Sequence, residues 1–113
     1  LSEFASVFTS GKGSMQDVAL KAGETLTHFV TSIINVRKPI ICGVNGPAIG
    51  IAVTMLGLFD IVYASNTATF NTPFSSLGQS PEGLSSLTFV QKMGLSKANE
   101  VLLLGKKLSA QEA

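Results

Sequence analysis

P-I-I-C-G-V-N-G-P-A-I-G-I-A-V-T-M-L-G-L-F, residues 39–59, decides how this chain folds. The run holds no charged side chain and is long enough to cross a bilayer as one helix. Asn45-Gly46-Pro47 interrupts it, and Gly43, Gly50 and Gly57 dilute it. A Pro following Asn-Gly sets a turn and removes a backbone donor, which a single spanning helix does not tolerate well. The run therefore reads as a buried strand over residues 40–44, a turn at 45–47 and a buried helix over residues 50–58.

The same pattern continues outward. Residues 59–64 read as a second buried strand and 68–71 as a short third, with a loop over 72–83. Residues 84–93 and 97–104 read as helices stopped by Gly94 and Gly105. Ser109, with Glu112 three residues on, has the spacing of a helix N-cap with a capping-box partner. Upstream, Val18, Leu26, Phe29, Val30, Ile33 and Ile34 give residues 17–36 an amphipathic helical period, closed by Pro39. Residues 1–14 read as a short helix or loop. Strands alternating with helices imply α/β layers. No internal repeat and no low-complexity segment is visible.

The bulk composition narrows the function classes. The chain has 113 residues, which fits one small domain. Charged residues are 13%, against about 25% in an average soluble domain. The chain begins at Leu1 without a Met and stops where a helix is starting, so it reads as a piece of a longer protein. A net charge of +1 gives no reason to expect nucleic acid or an anionic membrane as partner. One Cys42 and one His28 supply neither a disulfide framework nor a structural zinc site. Cys42 fits a strand core, His28 a helix surface, and Asp60 a structural contact at a strand start.

Two places carry candidate chemistry. In L-G-Q-S-P-E-G, residues 77–83, Glu82 stands between Pro81 and Gly83 and is the only charged residue between Asp60 and Lys92. A carboxylate at such a corner is either a solvated turn residue or a general base aimed into a pocket, and the motif alone favours the solvated turn. In N-G-P-A-I-G-I-A-V-T, residues 45–54, a helix begins near Gly50. Its first N–H groups lack internal partners and sit at the positive end of the helix dipole, so one near Ile51 could bind a developing oxyanion. Any strand–helix turn offers the same groups. Two other apparent motifs fail. Gly11-Lys12-Gly13-Ser14 lacks the earlier Gly of a phosphate loop, that position being Ser6. Ser80 and Ser86 lie in no G-x-S-x-G elbow.

Taken together, K-P-I-I-C-G-V-N-G-P-A-I-G (residues 38–50), F-D-I-V-Y-A-S (59–65), A-T-F-N-T-P-F (68–74), L-G-Q-S-P-E-G (77–83) and G-K-K-L-S-A-Q-E-A (105–113) resemble the enoyl-CoA hydratase/isomerase, or crotonase, superfamily. Within it they are most similar to the peroxisomal-type 3-enoyl-CoA to 2-enoyl-CoA isomerases. The resemblance is dense from Lys38 onward and weak before it. It implies an α/β fold, part of a crotonase-type ββα spiral incomplete at both ends, with residues 1–113 the central part of one domain. It implies an acyl-CoA substrate whose coenzyme A needs no further cofactor or metal, and a homotrimer for the complete protein. The implied location is a peroxisome or mitochondrion, within fatty acid β-oxidation.

The resemblance assigns the catalytic base to Glu82, one oxyanion N–H to Ile51, and the substrate pocket to Gly50, Phe74 and Leu77. Burial beside Phe74 and Leu77 would raise the Glu82 pKa. The second oxyanion donor belongs to an earlier loop; Ser10-Gly11-Lys12 lies too close to Lys38 to supply it, so that donor is expected outside the chain. The two glutamates with which hydratases activate water fall on Thr54 and Phe74, which disfavours hydration. The alternative implied by the G-Q-S-P corner is an acyl-CoA-binding, non-catalytic module of the chromodomain Y type.

Overall fold

The computed structural model describes residues 14–113; the side chain of Met15 and the expectations placed on residues 1–13 lie outside that description. The chain divides between Asn35 and Val36 into two units. The first contains one long helix, α1 (Met15–Ile34). Its start was not read from sequence, although the signal is present in S-M-Q-D. The Asp17 N–H donates to Ser14 Oγ at 3.2 Å, and the Ser14 N–H donates to Asp17 Oδ2 at 2.9 Å. This reciprocal box satisfies two of the donors that every helix start leaves open. His28 is exposed on this helix, as expected.

The second unit alternates strands and helices. β1 (Ile41–Val44) and β2 (Pro47–Ile49) are followed by a short helix α2 (Ile51–Thr54), which tightens into a 3₁₀ turn over Met55–Leu58. β3 (Ile61–Ala64) and β4 (Thr69–Asn71) come next, then α3 (Ser85–Met93), α4 (Leu95–Leu102) and β5 (Leu108–Ser109). β1 pairs in parallel with β3, and β2 in parallel with β4, while β5 adds antiparallel to β4. β1 and β2, and again β3 and β4, thus place one strand in each of two sheets.

The pairing uncovers a repeat that the sequence hid. Ile41 faces Ile61, twenty residues on, and Pro47 faces Thr69, twenty-two residues on. Two successive turns of chain therefore lie one upon the other with almost constant period. The side chains do not repeat: Cys42 meets Val62 and Ala48 meets Phe70. Asp60 sets the first register from below, accepting the Ile40 N–H at 2.8 Å while its own N–H donates to the Ile40 carbonyl at 3.1 Å.

Packing is uneven. Ala48, Val53, Phe70, Phe89, Val101 and Leu108 meet in one core that draws on β2, α2, β4, α3, α4 and β5. Gly57 allows the 3₁₀ turn to lie directly against Thr88 and Phe89 of α3; a Cβ there would enter the Thr88 hydroxyl. β1 and β3, expected to be buried, are not. Every residue of β3 is exposed, and β1 alternates exposed and half-buried residues, including a half-buried Cys42. Their apolar composition suits a sheet covered on both faces, but no described element of this unit packs closely upon them.

Other elements also depart from expectation. β2 takes Pro47, read as the end of a turn, with Ala48 and Ile49, to which no element was assigned, because Pro47 can open a strand where no ladder donor is needed. The helix expected from residue 84 starts at Ser85, because Leu84 adopts a left-handed conformation, φ 61°. Ser109 closes a short strand, yet its expected reciprocal bonds form: the Ser109 N–H and hydroxyl donate to Glu112 Oε2 at 3.0 and 2.9 Å, and the Glu112 N–H donates back at 3.3 Å.

Candidate active site

Gly50 connects β2 to α2 with φ 61° and ψ −124°, a conformation open to glycine and costly for any residue with a Cβ. Its N–H donates to the Asn71 carbonyl at 2.9 Å, tying the turn to the end of β4. Its carbonyl accepts the N–H groups of Val53 and Thr54. The Ile51 N–H, first in the helix, has no acceptor among the described residues. The space where a Gly50 side chain would stand is empty to 4 Å, so this end of α2 is approachable.

One turn further on, the same helix presents Thr54. The residue is wholly buried, and its hydroxyl donates to Glu82 Oε1 at 2.8 Å. The Ile51 carbonyl stands 3.4 Å from the same hydroxyl. A hydroxyl has a single proton, and the shorter, charge-assisted contact takes it. Across twenty-eight residues of sequence, α2 is thereby joined to the corner that carries the acid.

The corner is shaped by its backbone. Gly83 and Leu84 both have positive φ, 65° and 61°. The turn folds back so that Ser85 donates both its N–H, at 3.1 Å, and its hydroxyl, at 2.7 Å, to the Glu82 carbonyl. That pins the Glu82 main chain at the head of α3. Gly83 lies so close to α2 that a Cβ there would stand 2.6 Å from Thr54 Oγ1 and 3.4 Å from Ile51 Cδ1. The site is therefore assembled by direct contact between the first turn of α2 and the Pro-Glu-Gly corner.

Glu82 is half-buried as a residue, but its Oε2 is fully buried and has no hydrogen-bond partner among the described residues. Burial pushes its carboxyl above the usual range, and the Thr54 bond pulls it part of the way back. A buried oxygen whose lone pairs accept no hydrogen bond is expensive unless something else uses them. Glu82 is thus not a solvated turn residue.

Of the three residues assigned to the pocket, Gly50 stands at the head of α2, and Phe74 is packed into the core. Leu77 is 63% exposed at the end of a 3₁₀ turn over Ser75–Leu77. A separate groove of about 450 Å³ lies between Val62, Phe70, Phe89 and Met93 and includes neither Glu82 nor Ile51. Among the described residues no three His, Cys, Asp or Glu side chains gather as a metal site. No described helix is long and apolar enough to cross a membrane.

Sequence reasoning singled out Glu82 and Ile51 but did not read Thr54 as the partner of the acid, nor Ser85 and Leu84 as the shapers of the corner. The signal for Thr54 was available: it is the one polar side chain in an otherwise apolar helix.

Residues 6–113 match the family model described as enoyl-CoA hydratase/isomerase. The chain is 58% identical over 106 residues to enoyl-CoA delta isomerase 2 of Rattus norvegicus, covering 94% of this chain and 27% of that protein. It is 54% identical over 101 residues to enoyl-CoA delta isomerase 3, peroxisomal, of Mus musculus, covering 89% and 32%. Chromodomain Y-like protein of Homo sapiens is 50% identical over 93 residues, covering 82% and 16%. A solved enoyl-CoA hydratase/isomerase from Cupriavidus metallidurans CH34 superposes with a TM-score of 0.80 at 28% identity, over 91% of this chain and 38% of that one. The chain thus spans about a quarter to a third of the length of the isomerases it matches, and its fold corresponds to part of the crotonase architecture.

Proposed function

The chain belongs to the enoyl-CoA hydratase/isomerase family, and on that premise we propose that the complete protein shifts the double bond of a 3-enoyl-CoA to give the 2-enoyl-CoA, with Glu82 as the base. The observation that carries this reading is the Glu82 carboxylate itself, with one oxygen held by Thr54 and the other buried, unpartnered and raised in proton affinity.

The chemistry follows from those groups. The thioester carbonyl acidifies the substrate's alpha carbon. Glu82 takes that proton, and the C–H electron pair moves into a dienolate whose negative charge rests on the thioester oxygen. The Ile51 N–H, unpaired at the start of α2, donates to this oxygen. The second donor is assigned to a part of the protein beyond this chain. Glu82 then returns the proton at the gamma carbon, and the double bond settles next to the carbonyl. Atoms and electrons balance without water, oxidant or added cofactor; coenzyme A is part of the substrate. A carboxyl raised by burial suits a group that must both take and give a proton near neutral pH.

Hydration needs a second carboxylate to activate water, and the two positions that would supply it hold Thr54 and Phe74, both buried and neither able to act as a base. The isomerase relatives support placement in unsaturated fatty acid oxidation, and the mouse relative's name supports the peroxisome over the mitochondrion. A homotrimer is the assembly proposed for the complete protein. The second reading is an acyl-CoA-binding module without turnover, favoured by the 50% identity to the human chromodomain Y-like protein.

The test is conversion of 3-enoyl-CoA by the complete protein, beside its Glu82→Gln variant. The expected loss is about 10²- to 10⁴-fold in turnover, with acyl-CoA binding retained. A wild-type protein that binds acyl-CoA and turns nothing over would sink the isomerase reading and leave the binding module.

A further inference from the structure

We infer that Thr54 is a positioning residue for the base: its hydroxyl clamps Glu82 Oε1 and thereby fixes the orientation of the carboxylate. This rests on the assignment of Glu82 as base.

A free carboxylate has two equivalent oxygens and rotates about its terminal torsion, so either can receive a proton. Here the equivalence is broken. Oε1 accepts the Thr54 hydroxyl at 2.8 Å, while Oε2 is buried with no partner. Thr54 is itself wholly buried on α2, and the helix fixes its backbone. Gly83 makes the clamp possible, since any side chain there would collide with the Thr54 hydroxyl. The Ser85 bonds to the Glu82 carbonyl hold the other end of the residue. With both ends held, the carboxylate plane has one orientation, and a proton lifted from one carbon can be set down on another without the base turning.

Among the described residues no other charge acts on this carboxyl. The elements that meet Glu82 are α2, the loop before it in sequence and the first turns of α3, and Glu82 is the only charged residue between Asp60 and Lys92. Asp60 is engaged with the Ile40 N–H, and Lys92 reaches the Phe59 carbonyl at 3.5 Å. Burial and the Thr54 hydroxyl are what act on the Glu82 carboxyl, in opposite directions.

The experiment compares wild type, Thr54→Val, Thr54→Ser and Glu82→Gln in the complete protein across the pH profile of isomerisation. In Thr54→Val the acid limb of kcat/KM should move to higher pH, because the bond that favours the ionised carboxylate is gone. The plateau kcat should fall about tenfold, as expected for loss of a hydrogen bond to a charged group, with KM changed by less than about twofold. Thr54→Ser should restore both limb and plateau, which a purely packing role for the threonine methyl would not. A Thr54→Val profile superimposable on wild type, with Glu82→Gln inactive, overturns the clamp and leaves the base assignment standing. Full activity in Glu82→Gln overturns the base assignment and the clamp with it. Should Val at position 54 prevent folding, the wild-type protein decides: a hydrogen-bonded Thr54 hydroxyl proton whose resonance titrates with the Glu82 carboxyl supports the clamp, and one that does not titrate refutes it.

Discussion

The two sheets of the second unit are built by the same winding of chain and have opposite fates. β1 and β3 are as apolar as β2 and β4, yet Tyr63 is 65% exposed while Phe70, in the next strand, is 5% exposed. The difference is what lies above them. α2, α3 and α4 all pack over β2, β4 and β5, and the candidate site sits where α2 and α3 meet. Hydrophobic sequence states that a surface needs covering; it does not state which neighbour covers it. The site lies on the covered sheet because a raised carboxyl needs a dry surrounding, and only this side of the unit provides one.

The contrast can be broken by substitution. The largest effect on stability is expected in the core: Phe70→Ala should cost about 3–5 kcal/mol in urea unfolding of this chain. Tyr63→Ala in the same measurement should stay within about 0.5 kcal/mol. Equal costs at the two positions would mean that the first sheet is covered after all. Gly83→Ala comes next, at about 1–3 kcal/mol, combining a positive φ with a Cβ that overlaps the Thr54 hydroxyl. That variant should also lose isomerase activity in the complete protein; unchanged activity would mean that the corner tolerates separation from α2.

The subtlest effect is a pH dependence of stability. The folded Glu82 carboxyl is raised above its ordinary value of 4.5, so the folded state holds the proton more tightly than the unfolded chain. Below that value both states are protonated and the site carries no charge. As pH rises, the unfolded chain ionises first, and wild type loses stability until the folded carboxyl has ionised as well. Glu82→Gln, whose amide oxygen can still accept the Thr54 hydroxyl, should therefore be more stable than wild type near neutral pH, and this advantage should shrink below 4.5. Urea midpoints at the two pH values measure it, and a gap independent of pH would show that burial does not perturb this acid.

Helices and glycine stops were legible because their signals are local. The period of α1, the breaks at Gly94 and Gly105 and the isolated acid at Glu82 need only a few neighbouring residues to be read. β2 was not legible, since three residues beginning with Pro carry little strand signal. Nor was the left-handed Leu84, because no side-chain preference announces it. The decisive contact, Thr54 with Glu82, spans twenty-eight positions and depends on the backbone of Gly83. The exposure of β3 was misread because apolar strands look alike whether or not a partner covers them.

The single turn of α2 has one more consequence. Its unpaired amide at Ile51 and its hydroxyl at Thr54 are separated by three residues, which in a helix is a rise of about 4.5 Å. On the proposed reading α2 therefore works as a ruler, fixing the spacing between the Ile51 amide and the tether of the acid in steps of one residue. Inserting or deleting one residue between them would swing the hydroxyl by about 100° around the axis. The dimension of this site can change only in such discrete jumps, which ties it to one distance between the proton to be moved and the oxygen that takes up its charge.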